Sequence, residues 1–417
     1  MPKDWDSLNL EEVCEKIIDN RGKTVPITEN GIPLIATNCI NNRNLYPEFK
    51  NIRYVSKDIY ENWLRDHPSS GDIIFVNKGE YAGKVCLVPN PVNFCIAQDM
   101  IAIHPNKDVI DSEYLFAVLR SRFFQEQLKA FRVGTLIPHI KKSSFKELLI
   151  PIPSRPLQEI IGNTYCNLSK KIDNLEKQNR ILEEIGNTIF QNWFIEFEFP
   201  NDQNKPYQSS KGEMIYNTEL EKDIPKGWDV KPIDKIANFL NGLALQKFPP
   251  KTENYLPVIK IRELRQGITN LSDKSDIDIP KKYVICDGDV LFSWSGSLEV
   301  IIWTGGEGAL NQHLFKVTSE EYPKWFYYYW IKYYLSEYRN IAEGKATTMG
   351  HIQRHHLSES FVTIPDSKTF DNVNPILNVI IDKMIQAKVE SRKLSQIRDF
   401  VLSKLIQGKV KIPMEAN

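Results

Sequence analysis

The sequence predicts an α+β protein built twice, as a mixed α/β globular domain followed by a long α-helix, and then the same pair again. Three observations predict it. Short motifs recur in the same order, the spacing between the copies becomes constant toward the end of each copy, and each copy closes on apolar residues at heptad spacing.

The recurrence starts at Trp5-Asp6, which returns as Trp228-Asp229. Pro33-Leu34-Ile35 returns as Pro257-Val258-Ile259, and Gly71-Asp72-Ile73-Ile74-Phe75 as Gly288-Asp289-Val290-Leu291-Phe292. Gln98 matches Gln312, His139-Ile140 matches His351-Ile352, and Ile152-Pro153 matches Ile364-Pro365. The offset drifts from 223 to 212 through the globular part and then stays at 212. At that offset Leu168, Ile172, Leu182, Ile185, Ile189, Phe190, Trp193 and Phe194 face Ile380, Met384, Leu394, Ile397, Val401, Leu402, Leu405 and Ile406. Loops therefore differ in length between copies, whereas the final helical part does not.

Composition narrows the class. With 417 residues, 41% hydrophobic and 25% charged, the chain reads as a soluble globular protein of two or three domains. Lys+Arg and Asp+Glu balance at 53 each, so any basic surface must be local. The six cysteines are scattered without metal-ligand spacing, which predicts reduced thiols and no metal site. No signal-like segment opens the chain and no apolar run approaches the ~18 residues of a membrane span, so a cytoplasmic protein is expected.

Within each copy, residues 72–77 and 289–294 are apolar runs introduced by Gly-Asp, the pattern of strands, with hairpin partners at 84–89 and 299–304. Residues 112–131 and 323–342 have helical spacing, and Ser112 with Glu113 marks a helix start. The aromatic crowding of the second of these predicts core packing, with a base-stacking surface as the alternative.

The chain divides in this reading into a first globular domain at 1–155, a long helix at 156–199, a polar linker at 200–226, a second globular domain at 227–368 and a long helix at 369–412. Leu168, Ile172, Leu175, Leu182, Ile189 and Trp193 form a seam in steps of three and four, with Asn179 at a register-fixing position. Ile380, Met384, Ala387, Leu394, Val401 and Leu405 keep the same phase, with Ser391 facing the position of Asn179. An apolar stripe of this length is unstable alone in water, so the two helices are expected to pair as an antiparallel coiled coil with internal pseudo-two-fold symmetry.

Phosphate-loop, H-E-x-x-H, G-x-S-x-G and [DN]-P-P-[YF] signatures are absent. The informative region is basic instead. Arg120, Arg122, Lys129, Arg132, Lys141, Lys142 and Lys146 stand against the single acid Glu126 between residues 120 and 146. The matching stretch holds Lys332, Arg339, Lys345 and Arg354 against Glu337 and Glu343, with His351, His355 and His356. Cations mixed with Thr, Gln and His suit phosphate anchoring with base-edge hydrogen bonding. The candidate DNA contacts are Arg132, Thr135, His139, Lys141 and Lys142 in the first copy, and Thr347, His351, Gln353, Arg354 and His355 in the second. Asn41 and Arg43 after the first apolar strand, and Arg262 and Arg265 at the matching place, complete the set.

The paired Trp-Asp starts, the Gly-Asp strands, the Thr-x-x-x-His-Ile loops running to Ile-Pro and the two heptad helices resemble the specificity subunits of type I restriction–modification enzymes, the HsdS family. The resemblance covers essentially the whole chain, with Pro138 before His139 where Gly350 precedes His351 as the one departure. It implies two target-recognition domains, each reading one half of a bipartite asymmetric site in double-stranded DNA. It implies helices that set the half-site spacing and dock two methyltransferase subunits, with two restriction subunits beyond. It also implies a non-catalytic chain, with S-adenosylmethionine, ATP and Mg2+ confined to the partners. The alternatives are a stand-alone DNA methyltransferase or nuclease, and a coiled-coil tether joining two protein-binding domains.

Overall fold

A computed structural model describes residues 5–20, 23–131, 139–344 and 350–410. They form two compact units, residues 1–174 with 393–417, and residues 175–392. The boundary is not where the sequence places it. Each long helix contributes one half to each unit, because each globular core is completed by parts of both helices.

The two units repeat one topology. In the first, a four-stranded antiparallel sheet runs in the order Cys14–Asp19, Met100–Pro105, Ile73–Val76, Val85–Leu87. In the second, the order is Asn238–Asn241, Leu314–Thr318, Val290–Ser293, Val300–Ile302. A smaller sheet in each unit carries one parallel pair, Leu34 beside Cys95 in one and Val258 beside Ala309 in the other. The ends of each globular part are tied together, with Asp6 opposite Ile152 and Asp229 opposite Ile364.

The recurring Gly-Asp has a local cause. Gly71 and Gly288 take φ values of 88° and 94°, a left-handed turn that favours glycine. The following carboxylate closes the turn, Asp72 accepting from the Ser69 amide at 2.8 Å and Asp289 from the Cys286 amide at 2.8 Å. The turn delivers two apolar strands, Ile73–Val76 and Val290–Ser293, that are buried at every position.

The aromatic helix Lys324–Glu343 packs its crowded face into the second unit's core, where Trp325, Tyr329, Trp330 and Tyr338 are at most 2% exposed. Its counterpart is not continuous as the sequence suggested. Helices Ser112–Arg120 and Arg122–Phe131 are separated at Ser121, whose hydroxyl donates to the Val118 carbonyl and accepts from the Phe124 amide. Ser112 is not the cap either, since the Asp111 carboxylate accepts from the Tyr114 amide at 2.8 Å.

The long helices span Arg155–Phe190, widening through a last turn at Gln191–Ile195, and Ser367–Ile406. The second ends earlier than residue 412, stopped by Gly408 at φ 63° with its amide on the Leu405 carbonyl. Residues 411–417 lie outside the described part. In the first unit Ile161, Tyr165 and Leu168 share a seam with Arg398, Leu402 and Leu405. In the second, Glu176 meets Ser391 while Gly186 lies against Ile380, so advancing along one helix means retreating along the other. Ile172, Leu175, Asn179, Ile380, Met384 and Leu405 are buried, and Leu168, Leu182, Ile189, Trp193, Leu394 and Val401 are half-buried. Ile185 and Ile397 match in the repeat, yet they point to solvent at 44% and 49% exposure.

The segment 200–226 is no open linker. Met214–Asn217 and Lys222–Pro225 form a hairpin, Tyr207 stacks on Phe199 at 4.6 Å, and Phe199 stacks on Trp228 at 5.1 Å. A count of polar residues missed these few aromatic anchors, which decide the packing.

Phe194 is fully buried among Phe190, Trp228, Trp325 and Phe326, with ring centroids 5.2–5.9 Å away. Replacing it with alanine is expected to lower unfolding free energy by about 3–5 kcal/mol in urea titration. A change under ~1 kcal/mol would contradict its place at the junction of helix and globular core.

Candidate nucleic-acid interface

Each unit presents one hairpin whose tip is pinned by the histidine loop. In the first, the strand Ile73–Val76 runs on into Asn77-Lys78, and Lys78 bridges His139. The Ile140 amide donates to the Asn77 carbonyl at 2.8 Å, and the Asn77 amide donates to the Asp99 carbonyl at 3.1 Å. In the second, Ser295 bridges His351, the Ile352 amide donates to the Trp294 carbonyl at 3.0 Å, and the Trp294 amide to the His313 carbonyl at 3.4 Å. The main-chain frame is therefore the same. On it stand Asn77, Lys78, Asp99 and His139 in one unit, and Trp294, Ser295, His313 and His351 in the other. Only the histidine is shared.

The difference extends across the tip. In the second unit the Trp294 ring lies 5.7 Å from His313 and 6.4 Å from His351, with its Nε1 donating to Asn241 Oδ1 at 3.0 Å. Ser295 Oγ is 3.0 Å from His313 Nδ1. Beside them Glu299 receives Arg265 at 2.7 Å and Arg339 at 3.2 Å, and Arg339 Nε also donates to the Leu298 carbonyl. The two guanidiniums share this one carboxylate, and Glu343 beside them brings a second acid, so the charges here balance. These side chains line an open cleft of about 670 Å³ with Gly296, Ser297 and Gly350. At the equivalent place in the first unit, Gln125 Nε2 donates to the Gly83 carbonyl at 2.9 Å and Lys84 Nζ sits 4.1 Å over the Tyr81 ring.

The residues singled out from sequence fall in different surroundings. His139 and His351 sit on the hairpin tips. Lys141 is exposed, and Lys142 pairs with Asp19 at 2.6 Å while remaining 45% exposed. Arg265 lies at the second tip, and Arg262, whose side chain is 46% exposed, also braces the buried Glu263 and the Leu271 carbonyl. Asn41 is likewise a loop fastener, its Oδ1 accepting from the amides of Arg43 and Asn44. Gln353 begins a short helix, Arg354–Ser358, and its amide donates to His356 Nδ1. Arg354 reaches the Phe239 carbonyl and the Phe315 ring, and His355 packs its ring 4.0 Å from His356. Arg132, Thr135 and Thr347 lie outside the described residues.

Part of the basic stretch is structural. Arg120 is 8% exposed and donates to the main-chain carbonyls of Asn41, Asn44 and Val85, fixing the 41–45 loop beside the hairpin. Lys332 is bound by Glu183 at 2.5 Å. Conversely, Asn77, Lys78, Asp99, Trp294, Ser295, Glu299, His313 and Arg339 were not singled out as site residues from sequence. The signal was present in the turns NKGEYAGK and SWSGSLE, which share Gly79 and Gly296 but few other side chains place for place behind the same Gly-Asp strand.

The tips combine donors, acceptors, rings and cations, the inventory of base-edge and phosphate recognition. Nucleophile chemistry is poorly served elsewhere. Burial pushes the thiols of Cys14, Cys86, Cys95 and Cys166 far above their ordinary range, so they stay protonated at neutral pH. Among the described residues no group of three His, Cys, Asp or Glu is placed to hold a metal ion, and no helix is long and apolar enough to cross a membrane.

The chain and its fold have relatives. A family model described as "Type I restriction modification DNA specificity domain" matches residues 2–187 and again 225–390. The type I restriction enzyme MjaIX specificity subunit of Methanocaldococcus jannaschii is 27% identical over 436 residues, spanning 99% of this chain and 95% of that protein. The HindI specificity subunit of Haemophilus influenzae is 21% identical over 473 residues, spanning 98% and 100%. A crystal structure of a type I restriction–modification S subunit from M. genitalium shares the fold, with a TM-score of 0.61 at 15% identity over 97% of both chains.

Arg120→Met is expected to lower unfolding free energy by about 2 kcal/mol, because the buried Val85 carbonyl and the half-buried carbonyls of Asn41 and Asn44 lose a charged donor. Unfolding in urea measures it. An unchanged midpoint would return Arg120 to the surface set.

Proposed function

The chain belongs to the type I restriction–modification DNA specificity family, and from that membership we propose that each of its two units reads one half of a bipartite, asymmetric site in double-stranded DNA. The observation that carries the reading is the pair of hairpin tips, where one main-chain frame holds two different sets of side chains. A fixed frame suits a fixed pose on the duplex, and different side chains suit different base edges. On this reading the exposed cations near each tip anchor phosphates, and the long helices set the distance between half-sites and dock the methyltransferase subunits.

The chain itself contributes recognition only. Methyl transfer from S-adenosylmethionine, and ATP- and Mg2+-dependent restriction, belong to partner chains, two of each kind, in a cytoplasmic complex. The drift in loop length between copies supports the division of labour, since recognition tolerates change where a spacer does not.

Binding of the assembled complex to duplex DNA, measured against salt concentration, tests the phosphate role. Replacing Lys141 and Lys142 with alanine is expected to weaken binding to all sequences alike and flatten the log–log salt slope by about 1–2. An unchanged slope would remove these lysines from the interface.

Arg339→Gln, which gives the second tip the side chain found at the first, tests base reading. It is expected to relax preference at one position of one half-site by about 1–3 kcal/mol and leave the other half untouched. Equal loss at both halves would contradict independent reading.

A further inference from the structure

The two long helices are counterparts in the repeat, yet three places along their seam make them non-interchangeable. The first is Glu176 with Lys388. These residues stand 212 apart, the repeat's own offset, and they bond to each other, Lys388 Nζ donating at 2.7 Å while Ser391 Oγ donates to the same carboxylate at 2.8 Å. When two counterpart residues touch, the axis of antiparallel pairing passes between them. A helix paired with a copy of itself would therefore set Glu176 against Glu176, or Lys388 against Lys388. Burial pushes the Glu176 carboxyl up, but Lys388, the Ser391 hydroxyl and Arg180 outweigh it and hold it below its ordinary value. The carboxylate is thus charged at neutral pH.

The second place is Arg398, which is 6% exposed. Its guanidinium lies 5.2 Å over the Tyr165 ring and donates to Ser169 Oγ at 3.4 Å, with Asp399 holding Nε. The counterparts of Tyr165 and Ser169 on the second helix are Leu377 and Ile381, both buried. Against a copy of itself, the second helix would seal this cation between aliphatic side chains that offer neither ring face nor hydroxyl.

The third place is the counterpart of Arg398 on the first helix, Gly186. A Cβ there would run into Tyr329 Oη and lie 3.3 Å from Ile380 Cγ2. Where the second helix brings a large cation, the first brings no side chain at all.

We infer that the seam is a pairing code: each long helix favours the other over a copy of itself. Its elements are the Glu176–Lys388 bond, the Arg398 guanidinium against Tyr165 and Ser169, and the space left by Gly186. The inference rests on contacts of the helices and is independent of what the globular units bind.

Full-length chains test it. Glu176→Lys and Lys388→Glu each create a like-charge pair, and both are expected to melt about 2 °C or more below the parent, whereas the doubly inverted chain recovers most of the loss. The two single variants, differently tagged, denatured together and refolded at high concentration, can restore opposite charges only by exchanging helices. They are expected to form mixed-tag complexes severalfold more often than two differently tagged parent chains. A doubly inverted chain no more stable than the singles, or mixed-tag complexes no more frequent than for the parent, would overturn the code.

Discussion

An apolar stripe along a helix of 36 or 40 residues must be covered, and that requirement governs everything else in this chain. Each stripe is covered by the other. The consequence reaches into both globular cores: in the first unit Ile161, Tyr165 and Cys166 join Leu402, Leu405 and Ile406 in the same cluster as Phe75, Phe116 and Phe145. In the second, Phe190 and Phe194 meet Val373, Leu377 and Ile381 among the rings of the aromatic helix. Neither globular copy completes its core from its own half of the sequence. Changes that disturb the seam therefore act on the cores as well, and a constant offset of 212 through the helices is what such a constraint would preserve.

The globular parts obey a different rule. Their main chain is held to one pattern by Gly-Asp turns, buried strands and the bridge to the histidine loop, while the side chains at the two hairpin tips differ. A protein that must recognise two different sequences with one architecture needs this separation. On the proposed reading the frame supplies a pose, and hydrogen-bonding side chains at the tip supply discrimination. Glu299 shows the principle at the scale of one residue. It holds Arg265 and Arg339 in fixed positions, and a preorganised guanidinium is worth more to a base edge than a wandering one.

The duplication, the strand–hairpin–helix order and the helical seam were legible in the sequence because each is a periodic or repeated signal. The boundaries of the compact units were not, since they depend on which parts of two distant helices complete each core. Residue type alone could not show that Asn41 and Arg262 are also tied into their own loops. The structure uses one as a loop fastener and the other as a brace on buried Glu263. The hairpin tips escaped notice for the opposite reason. A search for similarity passes over positions where the copies differ, and here the difference between Asn77 and Trp294, or Gln125 and Arg339, is itself the signal. The segment 200–226 was misjudged because a hairpin and two aromatic contacts outweigh many polar residues.

The central claim, that two units read two different half-sites independently, is tested most directly by sequencing modified bases in cells that carry the assembled system. Residues 1–155 would be exchanged for the corresponding segment of another family member, with the helices kept intact. The account predicts that one half of the methylated site changes while the other half and the spacing stay as they were. A change in both halves, or in neither, would contradict it.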